Sequence, residues 1–274
     1  MQIVDSALAE ALTGVVSQAG RAILDIAQQP LVVRHKEDQS PVTAADEAAQ
    51  TIILDGLAKL MPGVPVVSEE HPDRPSAAAL RDLFVLVDPL DGTREFVAGR
   101  DEFTVNLAVI EEGDPLLGLV FLPARALLYC GFSDLVAERL HLAPGDPPSR
   151  AGEIKDIRTR PRPASGLVAA VSRSHLDEAT EAFLGKLPLA SRIASGSSLK
   201  LGLLAEGEAD VYPRLAPTHE WDIAAGHAVL AAAGGAVLRP DGTKLTYGNA
   251  DAGFLVPGFV AWGDPTAAVK AMSR

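Results

Sequence analysis

Residues 83–96 read LFVLVDPLDGTREF, an apolar run that ends in two aspartates with a proline between them, followed by Gly-Thr. The uninterrupted apolar residues predict a buried β-strand. The fixed φ of Pro89 stiffens the link between the aspartates, so both carboxylates and the Leu90 carbonyl can face one point. Asp-Pro and Asp-Gly pairs are also common in turns, so the stretch alone fits either a simple turn or a ligand-binding site.

A second apolar run, VPVVSEE at 64–70, also ends in acids. If the two runs are neighbouring strands with their carboxyl ends at one edge, Glu69 lies beside Asp88 and Asp91. Such carboxylates repel one another unless a cation lies between them. All candidate ligands offer oxygen, and no histidine or cysteine cluster has zinc-like spacing, so the sequence favours Mg²⁺, with Mn²⁺ as a substitute.

Two further acids each have a possible ligand role and a local structural one. Thr43 and Asp46 have the spacing of a capping box at the start of a predicted helix. Asp222 stands near the beginning of another predicted helix, where a carboxylate complements the helix dipole. Neither explanation excludes metal binding.

Composition narrows the class of protein. The chain has 274 residues, 36 acidic and 24 basic, and a net charge of −12, which argues against binding a nucleic acid polymer but leaves a small phosphorylated substrate possible. A single cysteine, Cys130, rules out an internal disulfide and suits a reducing compartment. No signal peptide or membrane span is predicted, so we expect a cytoplasmic protein, with peripheral attachment to the inner membrane left open. The oligomeric state is not readable from the sequence.

The order of predicted elements indicates a layered α/β architecture with mixed sheets. Two amphipathic helices precede the acid-tipped strands, residues 103–132 predict a meander of three strands, and strands and helices alternate after residue 165. We expect an α+β subdomain at 1–142 that carries the metal site, a proline-rich connection at 143–165, and an α/β subdomain at 166–274 that completes the site. The two subdomains would form a single compact unit.

The motifs resemble those of the inositol monophosphatase-like, Mg²⁺-dependent and lithium-sensitive phosphatases. The marks of the family are SEE at 68–70, DPLDGT at 88–93 and WDIAAGHAVLAAAGG at 221–235. Within the family the chain is more similar to 3'(2'),5'-bisphosphate nucleotidases of the CysQ type. The marks of that type are SPVTAAD at 40–46, GTREF at 92–96, FTVNLAVI at 103–110, SRSHLD at 172–177, GSSLKLGLLAEGEADVYPR at 196–214 and THEWDIAAGHAV at 218–229.

The resemblance implies the αβαβα sugar-phosphatase fold, with mixed sheets sandwiched between helices, and a set of metal ligands. Those ligands are Glu69, Asp88, the Leu90 carbonyl, Asp91 and Asp222. Two or three Mg²⁺ ions and inhibition by Li⁺ are expected. A metal-activated water would attack phosphorus in line, with Thr93 and either Glu69 or Asp46 helping to remove its proton.

The resemblance also implies how substrate is held. The backbone N–H groups of Gly92 and Thr93 would bind oxygens of the reacting phosphate. Family positions near the nucleotide and its second phosphate fall on Ser172, His175, Ser197, Lys200 and Arg214. The motif often has lysine where Arg94 stands, which leaves the charge intact.

The implied reaction is hydrolysis of the 3'-phosphate of adenosine 3',5'-bisphosphate to AMP and phosphate, with 3'-phosphoadenosine 5'-phosphosulfate as a further possible substrate. An inositol monophosphatase or another sugar-phosphate phosphatase is the alternative, and a non-catalytic nucleotide-binding regulator is a third. A haloacid-dehalogenase-type phosphatase is excluded because its first aspartate would stand where Pro89 is.

Overall fold

The computed structural model describes residues 4–29, 33–35, 41–71, 75–132, 136–173 and 176–266. Six α-helices lie in these ranges, and the two long N-terminal ones end where apolar periodicity predicted. The helices are α1 (Ser6–Ala27), α2 (Ala44–Leu60), α3 (Thr93–Val97), α4 (Glu178–Leu184), α5 (Leu199–Ala205) and α6 (Glu220–Ala232). Short 3₁₀ turns lie at Ala77–Leu80, Pro123–Arg125, Pro148–Arg150 and Ala250–Ala252.

Sixteen strands lie in the same ranges and form two large sheets and two small pairs. The strands are β1 (Val33–His35), β2 (Pro41–Thr43), β3 (Val66–Ser68), β4 (Leu83–Asp91), β5 (Thr104–Glu111), β6 (Asp114–Leu122), β7 (Leu127–Phe132), β8 (Val136–His141), β9 (Ile154–Asp156), β10 (Leu167–Ser172), β11 (Leu189–Ser195), β12 (Val211–Arg214), β13 (Thr218–His219), β14 (Ala236–Leu238), β15 (Leu255–Val256) and β16 (Phe259–Trp262).

The first large sheet has seven strands in sequence order from β3 to β9. Only β3 and β4 are parallel, as their shared acidic ends predicted, and the remaining neighbours are antiparallel. The meander predicted at 103–132 is confirmed as β5, β6 and β7. The sheet then continues through β8 and into the predicted connection at 143–165, where β9 forms its last strand. The subdomain boundaries themselves stay a prediction.

The second large sheet has the order β11-β10-β12-β16-β14. Its first three strands are parallel and β16 runs antiparallel to both neighbours. The carboxyl ends of β10, β11 and β12 therefore lie at one edge, which is where an open α/β sheet places its ligands.

The helices and sheets form five layers, which confirms the predicted αβαβα fold. Helices α1 and α2 cover one face of the first sheet, α5 and α6 lie between the sheets, and α4 packs on β12. Alternation along β4 shows the division: Val85 and Val87 face α1 and α2, whereas Phe84 and Leu86 face the central helix layer. Because both faces are buried, the strands read as continuous apolar runs.

No helix among the described residues is long and apolar enough to cross a membrane.

Candidate active site

The stretch at 87–96 forms a bulged strand end. Asp88 pairs with Asn106 and Asp91 pairs with Thr104, so three steps along β4 face two steps along β5. Proline is tolerated inside a sheet at such a bulge, because the ladder there is already interrupted. The Leu90 N–H, which leaves the ladder, donates to Asp88 Oδ1 at 3.1 Å.

The chain turns sharply after Asp91. Gly92 has φ +88° and ψ 40°, a left-handed conformation that glycine adopts without steric cost. Helix α3 begins at Thr93, whose hydroxyl lies 3.4 Å from Asp46 Oδ1 and 3.3 Å from the Leu90 carbonyl oxygen. The turn thus places a threonine hydroxyl between a buried carboxylate and a candidate metal-binding carbonyl.

The neighbouring strand and helix supply two more predicted acids. The Glu69 N–H donates to the Val87 carbonyl at 3.1 Å, which places Glu69 next to the end of β4. Asp46 is buried in the first turn of α2, and its Oδ2 accepts from both the N–H and the hydroxyl of Thr43 at 2.8 Å. The predicted capping box is therefore confirmed, and Asp46 Oδ1 remains directed to Thr93.

Asp222 joins these acids from helix α6. It lies in the first turn of α6, where its Oδ2 accepts from the Thr218 hydroxyl and, at 3.0 Å, from the His219 N–H. Its backbone carbonyl accepts from Ser198 Oγ at 2.7 Å. The sequence positions 46, 69, 88, 91 and 222 are thereby brought together by α2, β3, β4 and α6.

These residues line a pocket of about 250 Å³ between the two sheets. The part lined by Glu69, Asp88, Asp91 and Asp222 is termed the acidic end, and the part lined by Ser172, Lys200 and Arg214 is termed the cationic end. The lining consists of Glu69, Asp88, Leu90, Asp91, Gly92, Thr93, Arg94, Glu95, Ser172, Gly196, Ser197, Ser198, Lys200, Leu201, Tyr212, Arg214, Asp222 and Ile223.

Burial and mutual repulsion make the acidic end costly to ionise. Burial, then the charges of Glu69, Asp91, Asp222 and Asp46, raise the pKa of Asp88 well above its ordinary value. Burial and the neighbouring Asp91 raise the pKa of Asp222 to about 7. Burial also raises the pKa of Asp46. A cation at this end would remove the repulsion that produces these shifts.

Three of the aspartates have one carboxylate oxygen held by the protein and one left over. Asp88 accepts at Oδ1, whereas Asp91 and Asp222 accept at Oδ2. Within the described part of the chain, the second oxygen of each has no hydrogen-bond partner. Oriented carboxylates with an open oxygen suit a hard divalent cation.

The acids do not by themselves form a complete cage. Among the described residues, no group of three or more His, Cys, Asp or Glu side chains is arranged to hold one ion. Mg²⁺ ordinarily keeps several waters and takes only one or two carboxylates, so the arrangement fits this ion with a backbone carbonyl and water completing its shell.

The cationic end is formed by the second sheet. Ser172 and Arg214 end β10 and β12, and Arg214 Nε is buried without a hydrogen-bond partner among the described residues. Lys200 is 3% exposed, donates to the carbonyls of Ser195 (3.4 Å) and Ser197, and lies 5.1 Å from the centre of the Tyr212 ring. Burial lowers the pKa of Lys200 to about 8.

Two predicted substrate residues need separate mention. The Ser197 hydroxyl lies on Asp91 Oδ2 at 2.5 Å, so in this structure it orients a carboxylate. His175 lies outside the described residues.

Several residues of the site were not predicted. The hydroxyls of Thr104 and Ser198 lie within hydrogen-bond distance of Asp91 Oδ2, and the Asn106 amide donates to the Ser198 hydroxyl. Tyr212 and Glu95 line the pocket. Thr104 and Asn106 do leave a signal, because they are polar residues in an otherwise apolar buried strand and need buried partners. Ser198 lies inside the quoted GSSLK motif, but nothing local distinguishes its role from that of Ser197.

Comparison of this chain with known proteins identifies the family to which the fold and the pocket belong. Residues 5–261 match the inositol monophosphatase family, so the chain belongs to that family of phosphatases. A solved inositol monophosphatase from Anabaena sp. PCC 7120 has a TM-score of 0.73 over 97% of this chain and 95% of that one, at 22% identity, which supports the fold alone.

More similar relatives carry a narrower name. The chain is 43% identical over 243 residues to the 3'(2'),5'-bisphosphate nucleotidase CysQ of Escherichia coli K12, covering 88% of this chain and 94% of that protein. The crystal structure of CysQ from Bacteroides thetaiotaomicron, described as a bacterial member of the same family, has a TM-score of 0.79 at 33% identity over 95% of this chain and 98% of that one.

Proposed function

We propose that this protein is a Mg²⁺-dependent phosphomonoesterase that hydrolyses the 3'-phosphate of adenosine 3',5'-bisphosphate to AMP and phosphate. The corresponding 5'-phosphosulfate is a second candidate substrate. The high identity to nucleotidases named CysQ over most of both chains supports this substrate class over inositol phosphates.

The single observation that carries the proposal is that one pocket is lined both by several carboxylates and by the cationic side chains of Lys200 and Arg214. An inositol monophosphate has one phosphate, which the metal end would satisfy. A bisphosphate has a second anionic group, and the guanidinium of Arg214, which lines the pocket, supplies a cationic donor for it.

The acidic end would hold the metal ions. Glu69, Asp88, the Leu90 carbonyl, Asp91 and Asp222 are the proposed ligands of two or three Mg²⁺ ions, with Mn²⁺ as a substitute and Li⁺ as an inhibitor. Mg²⁺ in such a site neutralises phosphate charge and lowers the pKa of water.

The chain's own groups then handle the proton and the phosphate. Thr93 Oγ1 can take a proton from the attacking water while it passes its own to Asp46 Oδ1, which lies 3.4 Å away. Glu69 is the alternative acceptor. The N–H groups of Gly92 and Thr93 stand at the first turn of α3, where no helical carbonyl precedes them, and are assigned to the phosphate oxygens.

The second phosphate is assigned to Arg214, Lys200 and Ser172, with His175 as a further proposed contact. Lys200 is charged below its pKa of about 8. Ser197, predicted as a substrate contact, is assigned instead to the metal end, where its hydroxyl orients Asp91.

A substrate panel tests the proposal. Phosphate release is measured with adenosine 3',5'-bisphosphate, adenosine 3'-monophosphate, inositol 1-phosphate and fructose 1,6-bisphosphate, with Mg²⁺ and with added Li⁺. We expect the highest kcat/KM for the bisphosphate nucleotide and inhibition by Li⁺. Faster turnover of inositol 1-phosphate would refute the substrate assignment, and nucleotide binding without phosphate release would favour the regulator.

The variant Arg214→Gln tests the cationic end directly. A charge-assisted hydrogen bond contributes about 1.5–3 kcal/mol, so kcat/KM for the bisphosphate should fall about tenfold or more. Adenosine 3'-monophosphate, which lacks the second phosphate, should lose little. The matched control is Arg192→Gln on the same sheet, where the arginine pairs with Glu181 at the surface. Equal losses on both nucleotides would contradict the assignment.

A further inference from the structure

Glu102 is the centre of an ion network just outside the pocket. Its side chain is 10% exposed and accepts from Arg173 at 2.5 and 3.0 Å and from Arg125 at 3.2 Å. Arg125 is itself held by Asp101 at 2.9 and 3.0 Å. Burial alone would raise the pKa of Glu102, but hydrogen bonds from Arg173 and the Gly196 N–H outweigh it and lower the pKa, so Glu102 stays charged at neutral pH.

The same carboxylate holds the loop at 196–198, which lines the pocket. The Gly196 N–H donates to Glu102 Oε2 at 2.7 Å. A Cβ atom on Gly196 would lie 3.1 Å from that oxygen, a tight contact that glycine avoids. Through this contact the loop that follows β11 of the second sheet is bound to the segment just before β5 of the first sheet.

The loop adopts a conformation that needs such support. Ser197 has φ +48°, in the left-handed region that side-chain-bearing residues seldom occupy. Strain of this kind persists only where surrounding contacts over-determine it. Glu102 holds the residue before Ser197, and Lys200 holds the Ser197 carbonyl.

The strained turn brings two hydroxyls within hydrogen-bond distance of one oxygen of Asp91. Ser197 Oγ lies 2.5 Å and Ser198 Oγ 3.0 Å from Asp91 Oδ2. Asn106 Nδ2 donates to Ser198 Oγ at 2.8 Å and so sets the direction of that hydroxyl. The Ser198 hydroxyl has one proton, which the Asp222 carbonyl accepts at 2.7 Å, so the Ser197 hydroxyl is the donor that holds Asp91 Oδ2, and the other oxygen of Asp91 is left for a ligand.

We propose that Glu102 is a positioning residue for the metal site: it holds the loop at 196–198, and the loop orients Asp91. The inference rests on the metal-binding part of the proposed function. Partners that orient a metal ligand typically affect metal affinity by about 10–100-fold, so loss of the Glu102 charge should weaken cation binding although Glu102 does not touch the ion.

The test measures Mn²⁺ binding in the absence of substrate, with the free ion quantified by electron paramagnetic resonance. Thermal unfolding of each variant is measured in parallel. Asp210→Asn is the matched control for Glu102→Gln. Asp210 is also buried, and it accepts from Arg160 at 2.8 and 3.0 Å and from the Val168 N–H at 2.7 Å. It lies immediately before the first residue of β12, whereas the pocket residue Arg214 is the last residue of that strand.

We expect Glu102→Gln to weaken Mn²⁺ binding about tenfold or more, and Asp210→Asn to lower the melting temperature while leaving Mn²⁺ affinity unchanged. Wild-type affinity in Glu102→Gln, or equal weakening in both variants, would overturn the inference.

A second variant keeps the test decisive if Glu102→Gln does not fold. Ser197→Ala leaves Glu102 in place and removes the hydroxyl that donates to Asp91 Oδ2, so it should weaken Mn²⁺ binding in the same direction; unchanged affinity in Ser197→Ala would also overturn the inference. Failure of the wild-type protein to bind Mn²⁺ would instead refute the metal part of the proposed function. Binding of Mn²⁺ without nucleotide hydrolysis would refute the substrate assignment alone.

Discussion

Single carboxylates in this site have two roles that are divided between their oxygens. Asp91 Oδ2 lies within hydrogen-bond distance of two serine hydroxyls, and Asp222 Oδ2 accepts from the Thr218 hydroxyl and a backbone N–H, while the second oxygen of each remains available. An aspartate held in this way has lost its rotational freedom before a ligand arrives, which reduces the entropic cost of binding. The orientation of each acid therefore matters as much as its charge.

Asp91→Asn should abolish most of the activity. The change keeps the size of the side chain but removes a charge from the metal end, and a metal ion in such a site supplies several kcal/mol of transition-state stabilisation. We expect kcat/KM to fall at least ~100-fold. Steady-state hydrolysis of adenosine 3',5'-bisphosphate at saturating Mg²⁺ measures the loss.

The control for this change is Asp25→Asn, on the exposed surface of α1. Asp25 pairs with Arg21 four residues earlier, and exposed pairs of this kind contribute little. Activity should stay at the wild-type level. A similar loss in both variants would contradict the assignment of Asp91 to the metal site.

At the scale of elements, the position of α6 decides where Asp222 lies. Gly118 on β6 and Gly131 on β7 let the helix backbone rest directly on the sheet: added Cβ atoms would lie 2.1 Å from the Ala225 carbonyl oxygen and 2.3 Å from Val229 Cα. The many alanines of α6 serve the same close approach from the helix side. Two glycines on strands thus set the depth of a helix that carries a site residue.

Gly118→Ala should destabilise the protein and impair the site together. Overpacking of this kind typically costs about 1–3 kcal/mol, and α6 can relieve it only by moving away from the sheet. Thermal unfolding and Mg²⁺-dependent hydrolysis should therefore both decline.

Gly14→Ala on α1 is the matched control. A Cβ atom there would meet only Pro148 Cδ at 3.8 Å, an ordinary contact. Replacing a helical glycine by alanine should raise stability by up to ~1 kcal/mol without changing activity. Wild-type stability in Gly118→Ala would show that α6 does not depend on this contact.

At the scale of the whole molecule, the site is made by two sheets that meet at the ends of their parallel strands. The first sheet contributes Glu69 and Asp88, and the second contributes Ser172 and Arg214. Carboxylates at the strand ends of one sheet and a cationic side chain at a strand end of the other thus line one pocket. The cytoplasmic location stays a prediction.

Stabilisation by Mg²⁺ should grow with pH. The folded-state pKa of Asp222 is raised from 3.8 to about 7, so the metal-free folded protein binds more protons than the unfolded chain between these values. Ionisation of Asp222 therefore lowers the free energy of unfolding of the metal-free protein as pH rises through that window, and the loss is complete above pH ~7. Mg²⁺ relieves the repulsion only when the acids are ionised.

The measurement is the melting temperature with and without Mg²⁺ at pH 5.5 and at pH 8. The increase caused by Mg²⁺ should be larger at pH 8. In Asp222→Asn the difference between the two pH values should shrink. A Mg²⁺ effect that is independent of pH in the wild-type protein would contradict the argument.

Local sequence carries much of the fold. The apolar runs of β4 to β7, the periodicity of α1 and α2 and the Thr43–Asp46 capping box are short-range patterns, and the structure has them where they were predicted. The motifs at 88–93 and 221–235 likewise indicated which acids to consider. Strands β8 and β9 and the strands after residue 235 were not predicted, because their short runs lack a clear period.

The sequence by itself determined the layered α/β class, the family resemblance and the candidate acids, because these depend on residue type and spacing along the chain. Only the tertiary structure decided that the Ser197 hydroxyl orients Asp91 and that Glu102 holds the loop of Ser197. Those contacts join residues about 90 to 110 positions apart, such as Asn106 with Ser198 and Glu102 with Gly196. No local pattern encodes such pairs, since they exist only once both sheets have packed on the central helices.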